Sequence, residues 1–258
     1  MEKGLVSVIT PTYNCASFIG ETIESVQAQT YQQWEMIIVD DCSTDDTDAV
    51  VRPYLADERI RYIKNDTNSG AALSRNRALR EATGKWVAFL DSDDLWEPDK
   101  LEKQIAFMQK YKYSFSYTSY TQIDENGKSL HKVIYGPRKI TKNRMYLCCW
   151  PGCLTVMYDA KKIGLISIKN LRKNNDYPMW LKIVEKSDCY LLDENLAKYR
   201  KRSMSISNHG KSHFKRLKWY FLCFREGMDK GIVCSAILSL GNVFFGLIKK
   251  VAYERKEG

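Results

Sequence analysis

Apolar and polar positions alternate between two periods along the first hundred residues. Leu5–Thr10 is a short apolar run of strand type that stops at Pro11. A helical pattern follows from about Phe18 to Gln29, with Ile19, Ile23 and Val26 on one face and Ser17 placed as its N-cap. Trp34–Val39 reads as a second buried strand and ends in Asp40-Asp41. Ser43 and Asp46 then have the spacing of an acidic capping box that opens a helix. Ile60–Lys64 is a third strand, and 65–70 is a turn-rich loop. Ala71–Ala82 is a helix closed by Thr83-Gly84, and Trp86–Leu90 is a fourth strand that ends in Asp91-Ser92-Asp93-Asp94.

Strands alternating with helices in this way predict an α/β fold: a Rossmann-like, mostly parallel central sheet flanked by helices. Such sheets bind ligands beyond the carboxyl ends of their strands. If these strands are parallel, Pro11–Asn14, Asp40-Asp41 and Asp91–Asp93 crowd one edge.

The second half is less regular. Pro98–Lys110 reads as a helix, and Ser114–Thr121 with Ser129–Val133 as a hairpin around Asp124–Gly127. Leu154–Tyr158 is a strand, Asp176 opens a helix to Glu185, and Cys189–Leu192 and Leu196–Tyr199 are two short strands. After about Ile206 the character changes. Lys211–Arg225 mixes bases with aromatics, and Gly231–Ile248 is uncharged and mostly apolar. If Ser235–Val251 is helical, Ile237, Leu240, Phe244, Phe245, Leu247, Ile248 and Val251 share one side, and Ser235, Ser239, Asn242, Lys249 and Lys250 the other. That pattern suits a helix lying in a membrane interface. A membrane span and a helix packed on the core or on a second copy give the same pattern.

Composition narrows the class. With 258 residues, 44% hydrophobic and 28% charged, the chain is ordinary globular protein, which excludes a disordered, collagen-like or multi-span membrane chain. The balance of 40 basic against 31 acidic residues gives a net charge of +9 and points to an anionic partner: nucleic acid, a membrane surface or a phosphate-bearing substrate. The 8 cysteines form no C-x-x-C pair, so reduced thiols of a cytoplasmic protein are expected rather than a zinc ribbon or disulfide scaffold. No signal peptide is read ahead of the first strand.

Asp91, Asp93, Asp94 and Glu97 place four carboxylates within seven residues, just after a buried strand. Their mutual repulsion is relieved by a hard cation, Mg²⁺ or Mn²⁺, that shares its shell with substrate phosphates. A solvated acidic loop before Pro98 is the bland alternative. Asp40 and Asp41 suit caps, ion pairs or acceptors for a ribose hydroxyl or base N–H. Tyr13 suits base stacking or packing at the strand end. Arg75 is nearest the start of its helix and within reach of a phosphate or base, whereas Arg77 and Arg80 read as surface charges. Asp176 suits a helix cap or a general base.

The segments Val6–Asn14, Thr22–Tyr31, Ile38–Asp45, Asn68–Gly70 with Ser74–Asn76, and Phe89–Asp94 together resemble family 2 inverting glycosyltransferases with the GT-A fold. Asp176–Trp180 and Leu196–Arg200 continue the match more loosely. Within that family the chain is most similar to small bacterial enzymes of O-antigen, capsule or teichuronic acid synthesis. The resemblance implies a catalytic domain over 1–205, with 1–110 as the nucleotide-sugar half and 111–205 as the acceptor and base half. A helical C-terminal extension, 206–258, follows. It implies a nucleotide-sugar site of Pro11, Thr12, Tyr13, Asp40, Arg75, Asp91, Ser92, Arg200 and Arg202. Pro11 and Tyr13 line its base pocket, and Asp40 contacts the uracil or ribose. Asp93 is the direct ligand of a divalent metal, Mn²⁺ or Mg²⁺, with Asp91 beside it, and Asp176 is the catalytic base. Arg200 or Arg202 adds positive charge at the leaving phosphates. The expected partners are a UDP-linked sugar donor and a lipid-linked saccharide acceptor, with no nucleic acid. The expected location is the cytoplasmic face of a bacterial cell membrane, with the C-terminal helix at its surface. Two departures stand out. Asn175 replaces the usual Glu before the base, and Cys42 replaces the usual Gly, which predicts a different backbone in that turn. A nucleotidyltransferase and a non-catalytic nucleic-acid binder are the rival readings.

Overall fold

Seven consecutive buried residues form the first strand, β1 (Val6–Thr12). Burial on both faces is what a central parallel strand covered by helices requires. The computed structural model describes residues 4–171, 173–202 and 213–256. The boundary expected after residue 205 and the basic Lys211 lie outside these residues. α1 (Ile19–Gln27), β2 (Trp34–Asp40), α2 (Thr47–Val51), β3 (Ile60–Lys64), α3 (Ala71–Glu81) and β4 (Trp86–Phe89) then alternate as the pattern predicts. The strands run parallel in the order β4-β1-β2-β3, with Thr12 level with Asp40 and Asp40 level with Lys64. Ile9 is level with Phe89, so Asp91 emerges two residues beyond that pair. The carboxyl ends of β1, β2 and β4 therefore share one edge.

β5 (Leu95–Trp96), α4 (Lys100–Tyr111), the hairpin β6 (Phe115–Ile123) and β7 (Ser129–Ile134), β8 (Lys139–Ile140) and α5 (Lys142–Leu147) come next. β9 (Met157–Asp159), α6 (Ala160–Ile163), α7 (Tyr177–Val184) and β10 (Cys189–Arg200) complete the second half. β9 lies antiparallel between β4 and β6, which joins the halves into one sheet. Strand alternation gives that sheet two cores. Ile37, Val39 and Phe89 face α3 and α7, with Trp180 edge-on to Phe89. Met36, Ile38 and Ala88 face α1 and α4.

α8 (His213–Leu222), a π-type turn at Cys223–Gly227, α9 (Ile232–Ala252) and β11 (Glu254–Lys256) close the chain. β11 pairs with β7 at the far edge of the sheet, so the extension is stitched into the domain.

The structure corrects several local expectations. β1 continues through Pro11, which lies level with Val39. The Ile9 carbonyl accepts from Leu90 N–H, so Pro11, two residues on, faces the side where β4 has ended and removes no ladder bond. Ser17 does not cap α1; the Cys15 carbonyl accepts from the Phe18 and Ile19 N–H groups instead. Ser43 does not cap α2, because its hydroxyl turns to Asp40. Cys153–Thr155 is a 3₁₀ turn, and the strand there begins only at Met157. The two short strands at 189–199 are one bulged strand, β10. Cys42 itself takes a left-handed backbone, φ +68°, the region that favours glycine, so the strain of the turn is borne by the cysteine.

Candidate active site

The turn after β4 sorts its acidic side chains by depth. Asp94 N–H donates to the Asp91 carbonyl and closes the turn. Asp94 itself points inward, buried, and accepts the Arg200 backbone N–H at 2.9 Å. Asp91 and Asp93 point outward, with side chains 32% and 23% exposed. Each meets one arginine. Arg75, from α3, donates to Asp91 and also to the side-chain oxygen of Asn175. Arg202, just beyond β10, donates to Asp93 Oδ2 at 3.2 Å. Cys153 Sγ lies 4.0 Å from Asp91 Oδ1. Asp176 precedes α7 and receives at its carbonyl the Met179 and Trp180 N–H groups.

The charges of this rim act on one another. Burial pushes the Asp176 carboxyl up, Arg75 opposes the rise and Asp91 adds to it. Burial and the Asp91 charge also push Asp93 up, against Arg202. Burial pulls the Arg75 guanidinium down, and Asp91, Cys153 and Asp176 together more than reverse this. Burial first, then Asp93, raises the Cys15 thiol to about 11, so it is no thiolate at neutral pH.

Arg75, Asp91, Asp93, Asp176 and Arg202 therefore form one electrostatic group. Pro11 and Thr12 are buried at the end of β1, Ser92 is buried in the acidic turn, and Tyr13 is exposed at the rim. Among the described residues the buried Thr12 Oγ1 and Arg75 Nε have no partner, and the Trp180 side chain lowers the Asp176 carboxyl by hydrogen bonding.

Two predicted residues stand apart. Asp40 is fully buried and accepts from Ser43 N–H (3.0 Å), the Ser43 hydroxyl (2.5 Å) and the Tyr62 hydroxyl (2.7 Å). These bonds organise the strand end. Arg200 donates from its guanidinium to Glu21 (2.6 Å) and to the carbonyls of Asp93 (2.9 Å) and Glu125 (2.8 Å). Its side chain is wholly buried, so it braces the acidic turn from behind and presents no charge to a phosphate.

Asp41, which is not among the predicted site residues, supports the site. Strand pleat turns it to the face opposite Asp40. Its carboxylate accepts from Asn65 Nδ2, Ser69 N–H and Gly70 N–H and so fixes the loop that launches α3 and Arg75. Asn175 acts through Arg75 in the same way. Cys153 carries no signal in the sequence; only the fold brings it to Asp91.

Among the described residues no group of three or more His, Cys, Asp or Glu converges as a metal cage. Two outward carboxylates, one of them pushed up by burial and by its neighbour, fit a Mg²⁺ or Mn²⁺ whose shell substrate phosphates complete.

A parallel sheet with an acidic turn past β4 and a half-buried carboxylate coupled to it has the architecture of the GT-A glycosyltransferases. The structure superposes on Staphylococcus aureus TarS 1–349 in complex with UDP-GlcNAc with a TM-score of 0.70 and 24% identity, covering 91% of this chain and 70% of that one. It also matches the mannosyltransferase PcManGT from Pyrobaculum calidifontis in complex with GDP-Man and Mn²⁺ (TM-score 0.66, 18% identity, 96% of this chain and 75% of that one).

The chain belongs to glycosyl transferase family 2, whose profile matches residues 7–157. It is 44% identical to the "Putative teichuronic acid biosynthesis glycosyltransferase TuaG" of Bacillus subtilis strain 168, over 87% of this chain and 88% of that protein. It is 37% identical to the Escherichia coli UDP-Glc:alpha-D-GlcNAc-diphosphoundecaprenol beta-1,3-glucosyltransferase WfgD, over 100% and 99%. Family membership sets aside the nucleotidyltransferase and nucleic-acid readings.

Proposed function

We propose that the protein moves a sugar from a UDP-sugar to a hydroxyl of a lipid-linked saccharide, with inversion, in the assembly of a bacterial surface polysaccharide. The observation that carries this is the meeting of Asp91 and Asp176 around Arg75, with Asp91 acting on Asp93. The named activity of the E. coli relative supports a UDP donor and a lipid diphosphate acceptor.

Asp176 is the base. It removes the proton of the acceptor hydroxyl as that oxygen attacks the anomeric carbon from the face opposite the leaving diphosphate. One displacement inverts the centre, and no sugar becomes bound to the enzyme. Arg75 opposes the rise that burial imposes on the Asp176 carboxyl and, through Asn175, holds the segment that carries it. Arg202 is the cation beside Asp93 that meets charge growing on the diphosphate. A divalent cation on Asp93, with Asp91 beside it, supplies Lewis-acid stabilisation of the same charge.

α9 sets the location. Its 21 residues are long and apolar enough to cross a membrane, yet one side is fastened to the catalytic domain through Asn242 and Lys249. The opposite side exposes Ile237, Leu240, Phe244 and Val251, and Lys215, Lys218 and Lys250 are exposed on α8 and α9. An apolar face with basic neighbours suits an anionic lipid surface on the cytoplasmic side, with the helix lying along it.

A thermal-shift panel of nucleotide sugars, with and without Mn²⁺, tests the donor and the metal together. Stabilisation by UDP-sugars that EDTA removes is expected. Nucleotide affinity indifferent to EDTA would overturn the metal assignment. Release of pyrophosphate instead of a nucleoside diphosphate would overturn sugar transfer itself.

A further inference from the structure

The buried side of α9 carries Ser235, Ser239 and Asn242. The two serines satisfy themselves locally, Ser239 by donating to the Ser235 carbonyl at 2.5 Å and Ser235 by donating to the Lys230 carbonyl at 3.4 Å. Asn242 donates within its own helix, from Nδ2 to the Leu238 carbonyl at 3.0 Å, and also reaches out of it. Its Nδ2 donates to the Tyr146 carbonyl at 2.8 Å, and its Oδ1 accepts from the Tyr177 hydroxyl at 2.9 Å. The single hydroxyl proton is shared with the Met145 carbonyl, 2.6 Å away. Tyr177 is buried and directly follows Asp176. A helix with an exposed apolar face is thus bonded to the residue next to the base.

We infer that Asn242 is a positioning residue: it couples the seating of α9 on an anionic lipid surface to the segment that carries Asp176. The functional consequence rests on reading Asp176 as the base; the coupling does not. A lipid surface shifts an equilibrium only by binding its states unequally. Here it does so. With α9 docked, the apolar face meets lipid while the amide of Asn242 stays bonded to protein. With α9 turned or detached, Asn242 keeps its bond to Leu238 but loses Tyr146 and Tyr177, and those two bonds must be replaced in or beside lipid, at a cost. Lipid binding therefore favours the docked helix, and through Asn242 it quiets the turn at Asp176.

The Met179 and Trp180 amides donate to the Asp176 carbonyl, so their hydrogen exchange reports that turn. The full chain is mixed with vesicles of phosphatidylglycerol and phosphatidylethanolamine, and exchange is followed by mass spectrometry. Vesicles are expected to slow exchange several-fold across α9 and the first turn of α7. Asn242→Leu is expected to co-sediment with vesicles as the native protein does, and to gain protection in α9 alone. Tyr177→Phe removes only the hydroxyl and keeps the ring, so it gives the same reading should Asn242→Leu fold poorly. Equal protection of α7 in native protein and both variants would overturn the coupling. So would native protein that binds vesicles with no change in α7. Absence of vesicle binding would overturn the lipid contact as well, and leaves nucleotide-sugar binding to be judged separately.

Discussion

Two regions of the molecule bury polar side chains, and they do so for opposite reasons. At the sheet edge the buried or half-buried groups are charged, mutually opposed, and pushed from their ordinary ionisation by burial. On α9 they are small, neutral and hydrogen-bonded. The first arrangement costs folding energy and is expected where chemistry needs it. The second stabilises docking while freeing the apolar face for another medium. α1 sharpens the contrast. It has the same helical periodicity as α9, yet buries Ile19, Ile23 and Val26 and leaves Glu21 and Glu24 toward solvent. Glutamates are expensive to bury, whereas serine and asparagine can return their bonds to nearby carbonyls. What the polar face is made of decides which face turns inward.

The largest effect separating the regions lies at Asp176. Asp176→Asn is expected to lower sugar transfer by about 10²–10⁴-fold while nucleotide-sugar binding persists. The same change is expected to raise thermal stability at neutral pH. A carboxyl whose pKa is raised by folding binds its proton more tightly in the native state, so ionisation above the unfolded pKa weakens folding. Asparagine removes that cost. By the same sign, activity should fall as pH drops through the raised pKa, above the ordinary aspartate value of about 3.9. Near-native turnover in the variant would remove Asp176 from the mechanism.

One substitution placed on each helix tests the inverted face. Ile23→Asp puts an unpaired carboxylate in a sealed core and is expected to cost at least about 3–5 kcal/mol or to unfold the protein. Leu240 is 60% exposed, so Leu240→Asp is expected to stay within about 0.5 kcal/mol of native by denaturant melts. It should lose vesicle co-sedimentation. Equal destabilisation by both would mean that α9 is covered by protein after all. Between these falls Asn242→Leu, which leaves the Tyr146 carbonyl with a long 3.4 Å contact to the Tyr177 hydroxyl and should cost about 1–3 kcal/mol. It is thus opposite in sign to Asp176→Asn, as the contrast between the regions demands.

Much of the sheet edge was legible because parallel strands announce themselves as unbroken apolar runs, and the acids follow those runs directly. Less was legible where pleat parity or distant contact decides. Asp40 and Asp41 are neighbours, yet one faces Tyr62 and Ser43 and the other the loop at Ser69 and Gly70. Arg200 and Arg202 are two residues apart, but Glu21, from the far end of the chain, claims Arg200 and leaves Arg202 for Asp93. The bond of Asn242 to Tyr177 spans 65 residues and has no local signature. The periodicity of α9 was plain. Which of its faces is buried depends on what it packs against, and that is a tertiary fact.

The smallest effect concerns a cost at the sheet edge that no chemistry described here uses. Cys42 follows Asp41 and holds a left-handed backbone, φ +68°, in which an L side chain crowds its own carbonyl. Its thiol makes only a long contact of 4.0 Å, to the Asp66 carbonyl. Nothing in that contact offsets the strain. Glycine adopts the same backbone without a Cβ clash, although it loses more entropy on folding. The clash, about 1–2 kcal/mol, exceeds that entropic loss, about 0.5–1 kcal/mol, so Cys42→Gly is expected to stabilise the protein by about 1 kcal/mol. In a chain of this size that is a rise in melting temperature of about 2–4 °C, measured by calorimetry. Transfer should be unchanged, because Asp41 keeps the three donors that fix its loop. A drop in transfer without a drop in stability would instead mark the cysteine as part of the donor pocket and enlarge the set of side chains that the edge holds for its reaction.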